Sequence, residues 1–278
     1  MPSAAAVQFF EFDRGRFAFR VFGSGPAVLL AFHGFGQSSL AYEPLHTTVG
    51  DQFTVYAFDL FLHGGSQFTD DQLLTKTDWQ RFIDAFLRAH SIDRFSLMGF
   101  SLGGRFALAT VEAFADRIDQ LLLIAPDGIT RNVWYRLATS TGAGRGLFQY
   151  GLRHLPVLKG IGQGLVRLGL LNRTAMRFAE RSLATPQQRQ LVYQTWTRFR
   201  LIRPDLNAVA GLLSRHPVRV RFFTGAFDRL VPGRYILPLT DRLRQYELTV
   251  FKTGHNHLIE LTGDAIASVP PSPPATSQ

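Results

Sequence analysis

Phe95-Ser96-Leu97-Met98-Gly99-Phe100-Ser101-Leu102-Gly103-Gly104 carries the reading that decides the fold. It reads as a short buried strand, a tight turn bearing one serine, and the start of a helix. A strand that reverses directly into a helix crowds its turn residue into a strained backbone conformation. Side chains two positions before and after that residue would clash, so glycine suits both places and the pattern Gly-x-Ser-x-Gly results. The turn lifts the Ser101 hydroxyl clear of the sheet. It also leaves the Leu102 N–H at a helix N-terminus, where partial positive charge collects. Beyond the turn, Leu102, Phe106, Ala109 and Ala113 share one helical face, predicting a helix over 102–114.

Working outward, other apolar runs resemble the one at Leu97. Val7–Phe12 and Phe17–Phe22 read as a hairpin around Asp13-Arg14-Gly15. Ala27–Phe32, Thr54–Phe58 and Leu121–Ala125 are apolar with little alternation, as expected of strands buried on both faces. Val218–Thr224 and Leu248–Phe251 complete the set. Helical spacing appears at Lys76–His90, with Trp79, Phe82, Ile83, Phe86 and Leu87 on one face, and helices are expected at Arg234–Leu243 and from Leu258. Alternating strands and helices predict an α/β fold, a doubly wound, mostly parallel sheet, whose chemistry gathers beyond the C-terminal strand ends. Five of those ends carry small or reactive residues: His33-Gly34, Asp59, Ser101, Asp228 and His255.

Composition sets the bounds. The 278 residues are 46% hydrophobic and 13% aromatic, enough for a sizeable core. There is no cysteine, so disulfides, thiol catalysis and thiolate metal sites are excluded. The first residues show neither a basic segment nor a long apolar run, and no uncharged stretch is long enough to span a bilayer, so a cytoplasmic location is expected. The tail 270–278, rich in Pro and Ser, is expected to be disordered. The net charge of +9 is unevenly spread: residues 131–221 hold sixteen basic side chains against Glu180 and Asp205 only.

His33-Gly34, Asp59 with His63-Gly64-Gly65-Ser66, Gly99-Phe100-Ser101-Leu102-Gly103, Asp228, and Gly254-His255 with Glu260 together resemble the α/β-hydrolase superfamily, in its order of Ser, Asp, His. The resemblance covers Val7 to about Thr130 and Val218 to Val269. It implies a hydrolase core at 1–130 and 218–269 and a basic, mostly helical cap at 131–217, with no cofactor or metal. Two departures stand out. The loop after His33-Gly34 lacks a common proline, and the glycine often found before His63 is Leu62.

The chemistry follows from residue types. Ser101 needs a base to become a nucleophile, and an imidazole such as His255 titrates in the useful range. Asp228 would hold the ring's tautomer and stabilise the imidazolium. The Phe35 and Leu102 N–H groups would receive the oxyanion. Asp127 is a rival acid one strand earlier. His257 rivals His255, although Glu260, five residues on, suits His255. His33 and His63 are read as structural, and Asp59 as a turn-former. The expected activity is cleavage of a carboxylic ester or related acyl compound through an acyl-enzyme, by a carboxylesterase- or lipase-like enzyme. Alternatives are a thioesterase, a carbon–carbon bond hydrolase, or a binding protein with little turnover. The substrate is a small acyl compound, anionic or lipid-like. The cap's cations have three readings: a solvated face, a contact with anionic membrane, or a path for an anionic substrate group. No recognition motif supports nucleic-acid binding.

Overall fold

The computed structural model describes residues 5–13, 15–68, 73–130, 133–169 and 173–268. Its strands are β1 (Gln8–Phe12), β2 (Gly15–Phe22), β3 (Ala27–Phe32), β4 (Phe53–Phe58), β5 (Gln67–Phe68), β6 (Phe95–Phe100), β7 (Ile118–Ile124), β8 (Arg219–Gly225) and β9 (Glu247–Phe251). Its helices are α1 (Leu45–Thr48), α2 (Lys76–Ala89), α3 (Leu102–Phe114), α4 (Val133–Ser140), α5 (Gly142–Arg153), α6 (Leu155–Arg167), α7 (Arg173–Ser182), α8 (Pro186–Arg198), α9 (Leu206–Arg215), α10 (Leu237–Thr240) and α11 (Leu258–Ala267).

The sheet runs β1-β2-β4-β3-β6-β7-β8-β9, with β5 paired to β2. β1, β2 and β4 pair antiparallel, and every pairing from β4 through β3 to β9 is parallel. All six residues of β6 are buried, which explains why its sequence does not alternate. Register aligns the functional ends. Phe32 lies opposite Gly99, Phe100 opposite Ile124, and Ile124 opposite Phe223. The turns after β3, β6, β7 and β8 therefore open on one rim.

Two apolar clusters cover the two sheet faces. One joins Trp79, Phe82 and Phe86 of α2 to Phe106 of α3 and to Val209 and Leu213 of α9. The other packs Leu45 of α1 and Leu258, Ile259 and Ile266 of α11 beneath Leu29, Met98 and Leu122. Each large side chain buried this way contributes about 1.5–3 kcal/mol. Helix α2 begins with a reciprocal cap between Thr75 and Asp78, and its Trp79 indole N–H donates to Thr110 Oγ1 at 2.9 Å.

The helix expected over Arg234–Leu243 is instead a 3₁₀ turn at Gly233–Ile236 followed by α10. Pro238 lacks the N–H that a continuous helix would need, so it starts a new one. The insertion between β7 and β8 is mostly helical in its described residues, carrying α4 to α9 joined by short links. Its last helix, α9, belongs to the main core against α3. The tail 270–278 lies outside the described residues.

Candidate active site

Ser101 sits at φ 50°, ψ −116°, a strained conformation for a residue with a side chain. Such strain, on the order of 1–3 kcal/mol, persists only where the surroundings fix it. Three backbone hydrogen bonds do so. The Ser101 N–H donates to Ile124 O at 3.0 Å, and its carbonyl accepts from Gly104 N at 2.9 Å and Asp127 N at 2.8 Å. The glycines are required by close approach. A Cβ on Gly103 would stand 1.8 Å from Phe32 O, and one on Gly99 would stand 2.7 Å from Gly103 O.

The acid and the imidazole meet at the ends of β8 and β9. His255 Nδ1 lies 2.6 Å from Asp228 Oδ2, with Asp228's side chain wholly buried. The other carboxylate oxygen, Oδ1, accepts from Leu230 N at 2.8 Å and Val231 N at 3.0 Å. One oxygen thus anchors the loop while the other is aimed at His255. With Nδ1–H donating to Asp228, Nε2 keeps its lone pair for a proton. The Phe100 ring, one residue before Ser101, stacks at a tilt on His255 at 4.9 Å.

The rival groups have other partners. Asp127 Oδ2 pairs with Arg105 Nη2, and Arg105 Nη1 also bonds the Tyr135 hydroxyl at 3.0 Å. Burial works against the Arg105 charge, but Asp127 and Tyr135 outweigh it and hold its pKa above the ordinary value. His257 caps α11 at φ 63° with its side chain 77% exposed. Glu260, which the sequence pattern associates with His255, lies 3.8 Å from His257 instead.

The loop after β3 carries Phe35, whose N–H is the other amide expected to receive an oxyanion. Gln37 N donates to Gly34 O at 3.3 Å, and the Gln37 side chain accepts from Gly34 N at 3.0 Å. With Gly36 at φ 73°, this closes a tight turn whose first central residue is Phe35. The Leu102 N–H, in the first turn of α3, has no intrahelical acceptor. Phe35 is also the floor for the insertion, meeting Phe178 of α7 edge-on at 6.4 Å.

His33, His63 and Asp59 build the wall behind this loop. His33 is fully buried, with Nδ1 2.7 Å from Gly34 O and Nε2 accepting from Leu60 N at 3.0 Å. Burial, then the neighbouring His63, lowers its pKa to about 3. His63 is lowered as well, chiefly by burial. Asp59 accepts from Ser39 N at 2.6 Å and Gly65 N at 2.7 Å, a turn-forming role. Leu62 adopts φ 67°, the left-handed region that favours glycine. Arg105 and Tyr135 went unread as site neighbours. The available signal was the single cation of α3, one turn after Ser101.

A sequence model of the alpha/beta hydrolase fold matches residues 27–260. The chain belongs to the α/β-hydrolase family. An uncharacterized protein of Mycobacterium tuberculosis is 35% identical over 137 residues, covering 48% of this chain and 39% of that protein. The chain thus spans about two fifths of the length of this curated relative. Among solved structures, a thermophilic esterase from Thermogutta terrifontis superposes with a TM-score of 0.65 at 19% identity, over 91% of this chain and 92% of that one. A meta-cleavage product hydrolase from Pseudomonas fluorescens superposes with a TM-score of 0.63 at 18% identity, over 91% and 93%. At these identities the structural likeness concerns the fold. Family α/β-hydrolase neighbours with different chemistries share it, so the choice of reaction rests on this chain's own site.

Proposed function

We propose that this α/β-hydrolase is a serine esterase that cleaves a carboxylic ester through an acyl-enzyme. The observation that carries the reading is the buried Asp228 carboxylate 2.6 Å from His255, whose ring lies against Phe100 next to the strained Ser101 turn. In the proposed mechanism His255 Nε2 takes the Ser101 proton as Oγ attacks the ester carbonyl. Asp228 stabilises the resulting imidazolium, and the Phe35 and Leu102 N–H groups receive the oxyanion. His255 then protonates the leaving alcohol. Water, deprotonated by the same imidazole, hydrolyses the acyl-enzyme and returns the proton to Ser101. No step requires a cofactor. Residues 1–130 and 218–269 form the proposed core and 131–217 the proposed cap, although α9 within the latter range packs in the main core. Fluorophosphonate labelling and p-nitrophenyl ester hydrolysis test the assignment. Wild-type protein should label and turn over, and Ser101→Ala should do neither; equal labelling of the two proteins overturns it. Varying acyl length separates short from lipid-like substrates.

One observation favours a second element, contact between the cap and an anionic membrane. Helices α5 and α6 expose Leu147, Tyr150, Ile161, Leu165 and Leu168 among cations, and the sequence holds no carboxylate from 128 to 179. Apolar side chains beside cations adsorb to anionic interfaces. Flotation with phosphatidylglycerol vesicles should recover the protein at low salt and lose it at high salt. Recovery with neutral phosphatidylcholine vesicles alone contradicts the charge argument.

A further inference from the structure

A cavity of about 430 Å³ lies within the helical insertion, and neither Ser101 nor His255 lines it. Its walls come from two helices, each presenting one face. Helix α5 contributes Arg145 and Gln149, four residues apart, and α8 contributes Gln190, Tyr193 and Gln194. Arg198 and Arg200 close the end near Leu73. The walls are fixed by packing behind them. The Phe148 ring of α5 lies 5.8 Å from Tyr193 and 5.2 Å from Trp196, both on α8.

Among the described residues that line it, the charged side chains are Arg145, Arg198 and Arg200. Arg200 Nη1 donates to Thr197 O at 2.7 Å and Arg145 Nη1 to Thr139 O at 3.2 Å, both neutral carbonyls. Each bond uses one of a guanidinium's five donors. Burial and the cations Arg145 and Arg203 hold the Arg200 pKa below its ordinary value; the phenols Tyr135 and Tyr193 act in the other direction. Clustering cations in a recess costs free energy that a bound anion recovers. We propose that this cavity binds a phosphate monoester with a small organic body. A phosphate dianion can accept from several guanidinium forks at once, which a single carboxylate does less completely. The volume lies within the range of small-molecule sites, and Leu73 and the Tyr193 ring offer an apolar wall for the body. The glutamine amides supply further donors for the ester oxygens.

The proposal is independent of the esterase reading, and the test keeps the two apart by using full-length Ser101→Ala protein throughout. Phenyl phosphate is titrated calorimetrically at constant ionic strength, with phenol as the neutral control. The same protein is floated with phosphatidylcholine vesicles containing phosphatidic acid. The cavity variant carries Arg145→Gln and Arg200→Gln, with Arg200→Gln alone as the substitute if the double variant fails to fold. Saturable phenyl phosphate binding weakened at least tenfold in the variant supports a free phosphate ester as the ligand. Binding to phosphatidic-acid vesicles alone, lost in the variant, supports a lipid headgroup as the source. Equal binding by both proteins, or no binding of either probe, overturns the proposal.

Discussion

His33 shows how one buried side chain can set the acid limit of the fold. Its Nε2 accepts from Leu60 N–H, so a proton arriving there would face another donor in a fully buried site. The folded state therefore resists protonation down to about pH 3, whereas the unfolded chain takes the proton near 6.5. Above that value both states are neutral and His33 contributes no pH dependence. As pH falls from 6.5 towards 3, the unfolded state gains protons that the folded state does not, and stability drops by at most about 1.4 kcal/mol per pH unit. His63, lowered by burial in the same wall, adds to the slope. Urea midpoints measured at pH 7.5 and 5.0 should differ markedly in wild-type protein. In His33→Gln, whose side-chain carbonyl can accept from Leu60 N–H without titrating, the difference should shrink. An unchanged difference would assign the acid sensitivity to the carboxylates. Residue chemistry of this kind was half legible beforehand. The sequence marks His33 as a strand-end histidine with a structural role, but its tautomer depends on Leu60, 27 positions away.

At the scale of elements, neighbouring strand ends supply two acids with different partners. Asp228, from the end of β8, serves the imidazole; Asp127, from the end of β7, serves Arg105 one turn after Ser101. Tyr135 extends the second link into the insertion, its hydroxyl donating to Trp196 O at 3.0 Å. Asp127→Asn should therefore act on stability. Breaking a fully buried pair costs about 3–5 kcal/mol, but Asp127's side chain is 37% exposed and water can compensate, so roughly 1–3 kcal/mol is expected. Ester turnover at 20 °C should stay within a few-fold of wild type. Asp228→Asn should instead keep most stability and lower kcat on the order of 10³–10⁴ through the wrong imidazole tautomer. Reversed phenotypes would make Asp127 the acid. The elements themselves were readable where one physical signal dominated. Continuous apolar runs gave β3, β4, β6 and β7, and the Gly-x-Ser-x-Gly spacing gave the turn, because a Cβ at Gly103 has nowhere to go. Inside 131–217 the stretch 187–199 reads as a helix and corresponds to α8, but the other boundaries were not readable. Glycines at 160, 162 and 164 weaken helix propensity along α6, and that helix forms regardless as part of a packed layer.

The whole molecule divides its charge as it divides its architecture. Residues 131–221 carry a net +14 and the rest of the chain a net −5, so the insertion is a cationic layer on a mildly acidic body. Among the described residues no helix is long and apolar enough to cross a membrane. Electrostatic attraction alone would be screened at physiological salt, where the Debye length is about 8 Å. Retention then depends on the apolar side chains. Leu147 on α5 and Leu168 after α6 are each 73% exposed, and burying one leucine at an interface contributes about 1.5–3 kcal/mol. The double substitution Leu147→Gln and Leu168→Gln should consequently reduce partitioning onto phosphatidylglycerol vesicles by roughly tenfold or more. Hydrolysis of a water-soluble ester such as p-nitrophenyl acetate should be unchanged, because neither residue belongs to the rim formed by the turns after β3, β6, β7, β8 and the adjacent β9. If partitioning stays the same while salt abolishes it in both proteins, the layer is held by charge alone and its leucines serve another contact. If both measurements fall together, the leucines support the insertion's packing over Phe35, where Phe178 already meets the proposed oxyanion loop.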